Sequence, residues 1–316
     1  SSYRLFATTA LVATAGIAAA DVSVSGSAEI GIADTNATNQ GFQFHQVIEV
    51  TFGMSGETDG GLAFGASVQL DESTASTPGD DQGASIFVSG GFGTLTMGDT
   101  DGAFDWAMTE TGMGGSLADD HTSHSGYNGN SGLDGLAGQN YDGQVLRYDY
   151  SVNGFGVAVS LEQDNNALGT SLDDITGFGV TYAMDMGGTA ITLGAGMQDA
   201  GANEDITGAS VKAVMANGIT LVANMSDQST AATTSVESIG LGIGYTMDAL
   251  TVAANWGEKK SKTTGAADVT ADGYGLAVNY DLGGGAAVQL GYSSGNTGVA
   301  GAKDVTKTSV GLSLAF

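Results

Sequence analysis

The sequence predicts an all-β protein: a transmembrane, antiparallel, up-and-down β-barrel of about 16 strands. Three observations predict it. From Asp21 to Phe316, apolar and polar residues alternate with a period of 2, the mark of strands with one apolar and one polar face. Most of these segments come near the ~9–11 residues that a tilted membrane strand needs. The gaps between them alternate short and long. After residue 20 no stretch approaches the ~18 consecutive apolar residues of a spanning helix, so a chain that crosses a bilayer must cross it as strands.

Residues 1–20 read as a signal peptide: Arg4 stands in a short n-region, Leu5 to Ile17 is apolar, and Ala18-Ala19-Ala20 fits a small-residue cleavage site before Asp21. The competing reading, a membrane anchor, needs about 20 apolar residues and a stop-transfer pattern. The remaining residues, 21–316, form one domain. Val22, Val24, Ala28, Ile30 and Ile32 share a face opposite Ser23, Ser25, Ser27 and Glu29. Phe44, Ile48, Val50, Phe52 and Met54 oppose His45, Glu49, Thr51 and Ser55, and Phe64, Ala66, Val68 and Leu70 oppose Ser67, Gln69 and Asp71. Ile86 and Val88, then Leu95 and Met97, continue the pattern up to a long irregular stretch. Beyond it the alternation resumes at Leu146, Tyr148 and Tyr150 and runs to Val310, Leu312, Leu314 and Phe316.

Short gaps fall at Gly56–Gly60, Gly90-Gly91, Asn153-Gly154, Gly187-Gly188, Asn217-Gly218, Asp248-Ala249 and Gly283-Gly284. Several of these pairs supply the positive φ of tight hairpin turns. Long gaps fall near 34–41, 72–82, 99–143, 164–173, 199–205, 228–234, 259–268 and 294–305. Short turns at one end and long loops at the other fit an even-stranded membrane barrel. The apolar faces are complete, while the opposite faces carry Ser, Thr, Gln, Asn, Glu and Gly. Such a sheet turns its apolar face to lipid, and closure leaves no unpaired backbone edge there. Tyr148, Tyr150, Tyr182, Tyr245, Trp256, Tyr280 and Tyr292 share the outward parity near strand ends, as an aromatic girdle would.

The gap from Asp99 to Gly143 is the exception in scale. About 45 residues without a period far exceeds the usual 12–15 and points to function. It carries Asp99, Asp101, Asp105, Glu110, Asp119, Asp120, Asp134 and Asp142, and neither Lys nor Arg. The whole chain has a net charge of −27 and no cysteine. That excludes binding to nucleic acid through clustered bases and excludes disulfides and thiolate chemistry. No H-E-x-x-H or phosphate loop appears, and no enzyme is expected.

Met54-Ser55-Gly56 with Gly61-Leu62-Ala63-Phe64-Gly65-Ala66, Gly90 to Gly93 with Gly98-Asp99, and Tyr280-Asp281-Leu282-Gly283-Gly284-Gly285-Ala286 resemble a Gram-negative general porin. The similarity is greatest to the Rhodobacter-type alphaproteobacterial porins. The terminal Phe316 is similar to the C-terminal signal that outer-membrane assembly machinery reads. The resemblance implies a 16-stranded homotrimer in the outer membrane, in contact with the lipid bilayer and lipopolysaccharide. It also implies that the third long loop, residues 99–143, folds inward as an eyelet for passive diffusion of small hydrophilic solutes and ions.

In the family, acids on that loop face a row of bases across the pore. Here the first three strands offer the lumen no Lys or Arg, and the inward strand cations expected are Arg147 and Lys212; Lys259, Lys260, Lys262, Lys303 and Lys307 are expected in or beside outer loops. A mostly acidic eyelet follows, with Asp101, Asp105, Glu110, Asp119 and Asp120 from the loop and Glu49 and Arg147 from the wall. Rings of acids give a preference for cations. Phe104, Trp106 and Met108 are expected to pin the loop to the wall. Similar porins hold calcium, and the pairs Asp80-Asp81, Asp119-Asp120 and Asp173-Asp174 offer oxygen atoms for it, but no full ligand spacing is visible. No other cofactor is expected, and His121 and His124 lack a third metal ligand. Two alternatives stay open: a channel for one specific solute, and a non-channel surface β-protein that binds calcium.

Overall fold

The computed structural model describes residues 21–37, 41–73, 81–117, 121–134, 143–164, 173–201, 204–231 and 233–316. Residues 1–20, expected from the sequence to be a signal peptide, and Asp80, Asp119, Asp120 and Asp142 therefore lie outside the described residues. The strands are β1 (Asp21–Thr35), β2 (Gln43–Glu57), β3 (Ala63–Ser73), β4 (Asp81–Gly90), β5 (Gly93–Asp99), β6 (Gln144–Val152), β7 (Phe155–Glu162) and β8 (Ile175–Asp185). They continue with β9 (Thr189–Asp199), β10 (Asp205–Met215), β11 (Ile219–Ala231), β12 (Thr234–Met247), β13 (Leu250–Thr263), β14 (Val269–Gly283), β15 (Ala286–Asn296) and β16 (Val305–Ala315). One short helix, α1 (Ala103–Ala107), stands between β5 and β6.

Every strand pairs antiparallel with its sequence neighbour, and β1 pairs with β16 from Ser27↔Ala315 to Thr35↔Lys307, closing the barrel. The last residue completes that seam: the Phe316 amide donates to the Gly26 carbonyl at 2.8 Å, and the Gly26 amide donates back at 3.3 Å. The Phe316 ring itself is exposed. The tight turns use the expected chemistry, with Asn153 and Gly154 at φ 51° and 86° between β6 and β7.

The barrel is inside out relative to a water-soluble fold. Val24, Ile48, Leu95, Val159, Met225, Leu241 and Leu276 are exposed on the outer face, whereas Glu29, Glu162, Gln198, Asn224, Asn255 and Ser293 are buried on the inner one. The girdle residues Tyr150, Tyr245, Trp256 and Tyr280 are exposed outward.

Two loops are shorter than their sequences suggest. β11 and β12 run to Ala231 and from Thr234, and β13 runs through Lys259, Lys260 and Lys262. Backbone pairing there continues on polar partners, such as Glu237↔Lys260 and Ser235↔Lys262. A ladder above the lipid needs no apolar alternation, so the sequence period fades before the strand does. The loop of 99–143 is also not structureless, since it contains α1.

The buried apolar cluster of the described residues is Phe104, Met108, Leu133, Ile175, Ala200 and Ile206. It joins the long loop to the inner side of β8–β10. It therefore holds the loop against the wall.

Candidate functional site

The long loop leaves the wall after Asp99, turns inward over β6 and lands on β7. There the Ala103 amide donates to Ser160 Oγ at 2.9 Å. α1 follows, with Phe104 fully buried beneath it and Met108 nearly so, as expected of pins. Trp106 lies half-buried beside Gly156. The helix can lie this low because the inner faces of β8 and β9 are glycine where it passes. A Cβ on Gly179 would collide with the Ala103 carbonyl, one on Gly194 with the Ala107 carbonyl, and one on Gly196 with Phe104.

The loop then follows the wall round. The Thr109 amide donates to Ser210 Oγ at 3.0 Å, and the Thr109 carbonyl accepts from Asn224 Nδ2 at 3.1 Å. Thr111 and Met113 lie over Gly240, Gly242 and Gly244 of β12. Asn279 binds Gly115 twice, accepting from its amide at 2.8 Å and donating to its carbonyl at 2.7 Å. Leu117 reaches Gly31 and Gly311, on the β1–β16 seam. The return path is tied by Asn255 Nδ2 to the Thr122 carbonyl at 3.1 Å, Asn128 Nδ2 to Ser226 Oγ at 3.1 Å, and the Leu133 amide to Gln198 Oε1 at 2.7 Å. Asp134 buckles the two ends of the loop together, accepting from the Gly102 amide at 3.0 Å and from Gln198 Nε2 at 2.7 Å.

The loop thus covers the inner wall from β7 round to β16. Among the described residues it leaves the inner wall of β1–β6 largely uncovered, and the inward residues there are of another kind. They include Ser27, Glu29, His45, Glu49, Asp71, Arg147 and Asp149. Glu49 accepts from Ser27 Oγ at 2.6 Å, and His45 Nε2 lies 2.9 Å from Glu29 Oε2. Glu49 and Asp71 stand directly opposite each other across β2 and β3. Two like charges so placed repel.

The residues expected to carry the function fall into three places. Asp101, Asp105 and Glu110 gather at the loop's first turns. Burial first, then the Asp101 and Glu110 carboxylates, push the Asp105 carboxyl up to about 9, and Asp101 hydrogen-bonds it. Asp105 is therefore protonated at neutral pH, and the Asp101–Asp105 pair carries one charge rather than two. Glu110 accepts from the Tyr127 hydroxyl at 3.0 Å. Glu49 stands on the uncovered wall, and Arg147 sits beneath the loop's departure. Asp119 and Asp120 lie outside the described residues.

Lys259 and Lys307 belong to strands rather than loops and alternate inward, and Lys307 Nζ lies 3.1 Å from Ser123 Oγ. His124 bonds Asn255 Oδ1 at 3.0 Å, and burial holds its pKa down at about 4. His121 Nδ1 lies against the Leu117 carbonyl. Among the described residues no three His, Asp or Glu side chains gather as a metal site. Asp174 instead accepts from the Asp164 amide at 3.0 Å.

Sequence reasoning misses the seat itself. Its signal is present as glycines two apart on inward faces: Gly177 and Gly179, Gly194 and Gly196, and Gly240, Gly242 and Gly244. It also misses Ile175 and Ile206, apolar residues at polar parity, and the inward Phe87 of β4 against Gly65.

A family model described as Gram-negative porin matches residues 7–299. The porin of Rhodobacter capsulatus is 31% identical over 294 residues, which cover 85% of this chain and 92% of the relative. The chain belongs to the Gram-negative porins. Solved porin structures agree in fold. A variant of Rhodopseudomonas blastica porin superposes with a TM-score of 0.71 at 20% identity, covering 94% of this chain and all of that one. A porin structure refined at 1.8 Å resolution gives 0.69 at 25% identity over the same shares. This porin is an outer-membrane protein whose closed barrel provides a channel for passive diffusion. Its family is one of channel proteins rather than enzymes.

Proposed function

We propose that this porin conducts small hydrophilic solutes and ions with a preference for cations, set by an acidic eyelet. The observation that carries the reading is the composition of the two surfaces that meet across the lumen. Glu49 and Asp71 stand on the uncovered wall and Asp101 and Glu110 on the loop, while Arg147, the inward base on β6, is paired to Asp149 at 3.2 Å. Fixed acids in excess over bases concentrate cations in a narrow aqueous pore. Asp119 and Asp120 belong to the same proposed ring. In this reading residues 1–20 direct export, and Phe316 is the signal read by the outer-membrane assembly machinery. The barrel assembles as a homotrimer, with lipopolysaccharide as its outer-leaflet neighbour.

The test is the reversal potential of the reconstituted protein in a planar bilayer under a salt gradient. The wild type should favour cations. Glu49→Gln with Asp71→Asn, and separately Asp101→Asn, should move the potential toward zero. An unselective or anion-preferring wild-type pore would leave the channel in place and remove the electrostatic assignment.

A further inference from the structure

Between β5 and β7 the chain must cross the inner face of β6. Thr96 and Arg147 are cross-strand partners, so Arg147 projects from β6 just below that crossing. Its guanidinium is largely buried, at 13% side-chain exposure. Nη1 donates to the Asp101 carbonyl at 2.7 Å and to Thr100 Oγ1 at 3.3 Å, and Nε donates to Asp149 Oδ1 at 3.2 Å. One side chain thus ties the strand that receives the loop to the residues that begin it. Gly102, the next residue, starts α1 with no side-chain cap, and its amide is taken by Asp134.

We infer that Arg147 is a positioning residue: it sets where the eyelet loop leaves the wall, and it does not act as a basic pole of the pore. The inference rests on the acidic-pore reading above and deepens it, because a base spent on a backbone carbonyl, a hydroxyl and a neighbouring carboxylate adds little positive potential to the lumen. The fork geometry matters more than the charge. A lysine ammonium is a single point on a flexible stem and cannot hold Asp101, Thr100 and Asp149 in those three directions at once.

The experiment compares Arg147→Gln and Arg147→Lys by single-channel recording in planar bilayers, with protease nicking of the folded protein within residues 100–143 as a second readout. Both variants should lose the single wild-type conductance level, opening to several levels, and both should be nicked faster. The result that overturns the inference is a Lys variant identical to wild type in level and reversal potential, with a Gln variant that keeps the level and only shifts toward cations. That pattern belongs to a field charge. The wild-type reversal potential tests the acidic-pore reading separately, so failure of one is distinguishable from failure of the other.

Discussion

The two halves of the lumen are built from different alphabets. Where the loop rests, on β7–β16, its seat is glycine, serine and amide: Gly179, Gly194, Gly242, Ser160, Ser210, Asn224, Asn255 and Asn279. On the facing wall, β1–β6, the inner side is ionisable: Glu29, His45, Glu49, Asp71, Arg147 and Asp149. The difference follows from what each half must touch. A backbone resting on a wall needs room and neutral hydrogen-bond partners, since a buried unpaired charge is costly. On the facing wall the buried ionisable groups have polar partners, Glu29 against His45 and Arg147 against Asp149. Charged exceptions on the covered half include Glu162 of β7, which accepts from the Gly143 amide at 2.6 Å, and Lys307 of β16, beside Ser123.

The largest test of this contrast is steric. Gly194→Val should unseat α1, because the added carbons occupy the space of the Ala107 carbonyl. The unfolding midpoint should fall by the equivalent of roughly 3 kcal/mol, with an altered conductance. On the facing half, a Cβ on Gly53 meets only the Ser23 hydroxyl, and Gly53→Ala should cost under about 1 kcal/mol. Equal losses at both positions would dissolve the distinction.

A smaller effect comes from the buckle. Burial, then the Glu162 and Asp101 carboxylates, raise Asp134 from 3.8 to about 6, against its bonds from Gln198 and Gly102. The folded protein therefore holds that proton more tightly than the unfolded chain. Its contribution to stability is complete below about pH 4 and is lost as pH rises through 6. Asp134→Asn should remove this slope, on the order of 2 kcal/mol, from a stability series between pH 4 and 7.

The smallest effect sharpens the acidic reading. Asp105 is already neutral at pH 7, so Asp105→Asn should leave the reversal potential nearly unchanged. A shift as large as that of Asp101→Asn would show that both acids are ionised.

Much of this is legible in the sequence. Alternation marks the strands and their outward faces, and sheer length marks the loop. Phe104 and Met108 are readable as pins because bulky apolar residues in a polar loop need a wall. Strand ends at Ala231 and Lys262 are not, since pairing outlasts the apolar period. The roles of Asp105 and Arg147 are not readable either. Residue type gives a charge, but only the fold shows that one acid is buried beside another and that the guanidinium grips a carbonyl. The glycine pairs are visible, yet they read as a sign of a wide barrel until the loop lies on them.

The stitching of the loop by Asn279, Asn255, Asn224 and Ser210 is neutral. Glu49 and Asp71 on the facing wall take no part in these bonds. Substitutions at Glu49 and Asp71 change the charge of that wall and remove none of these anchors.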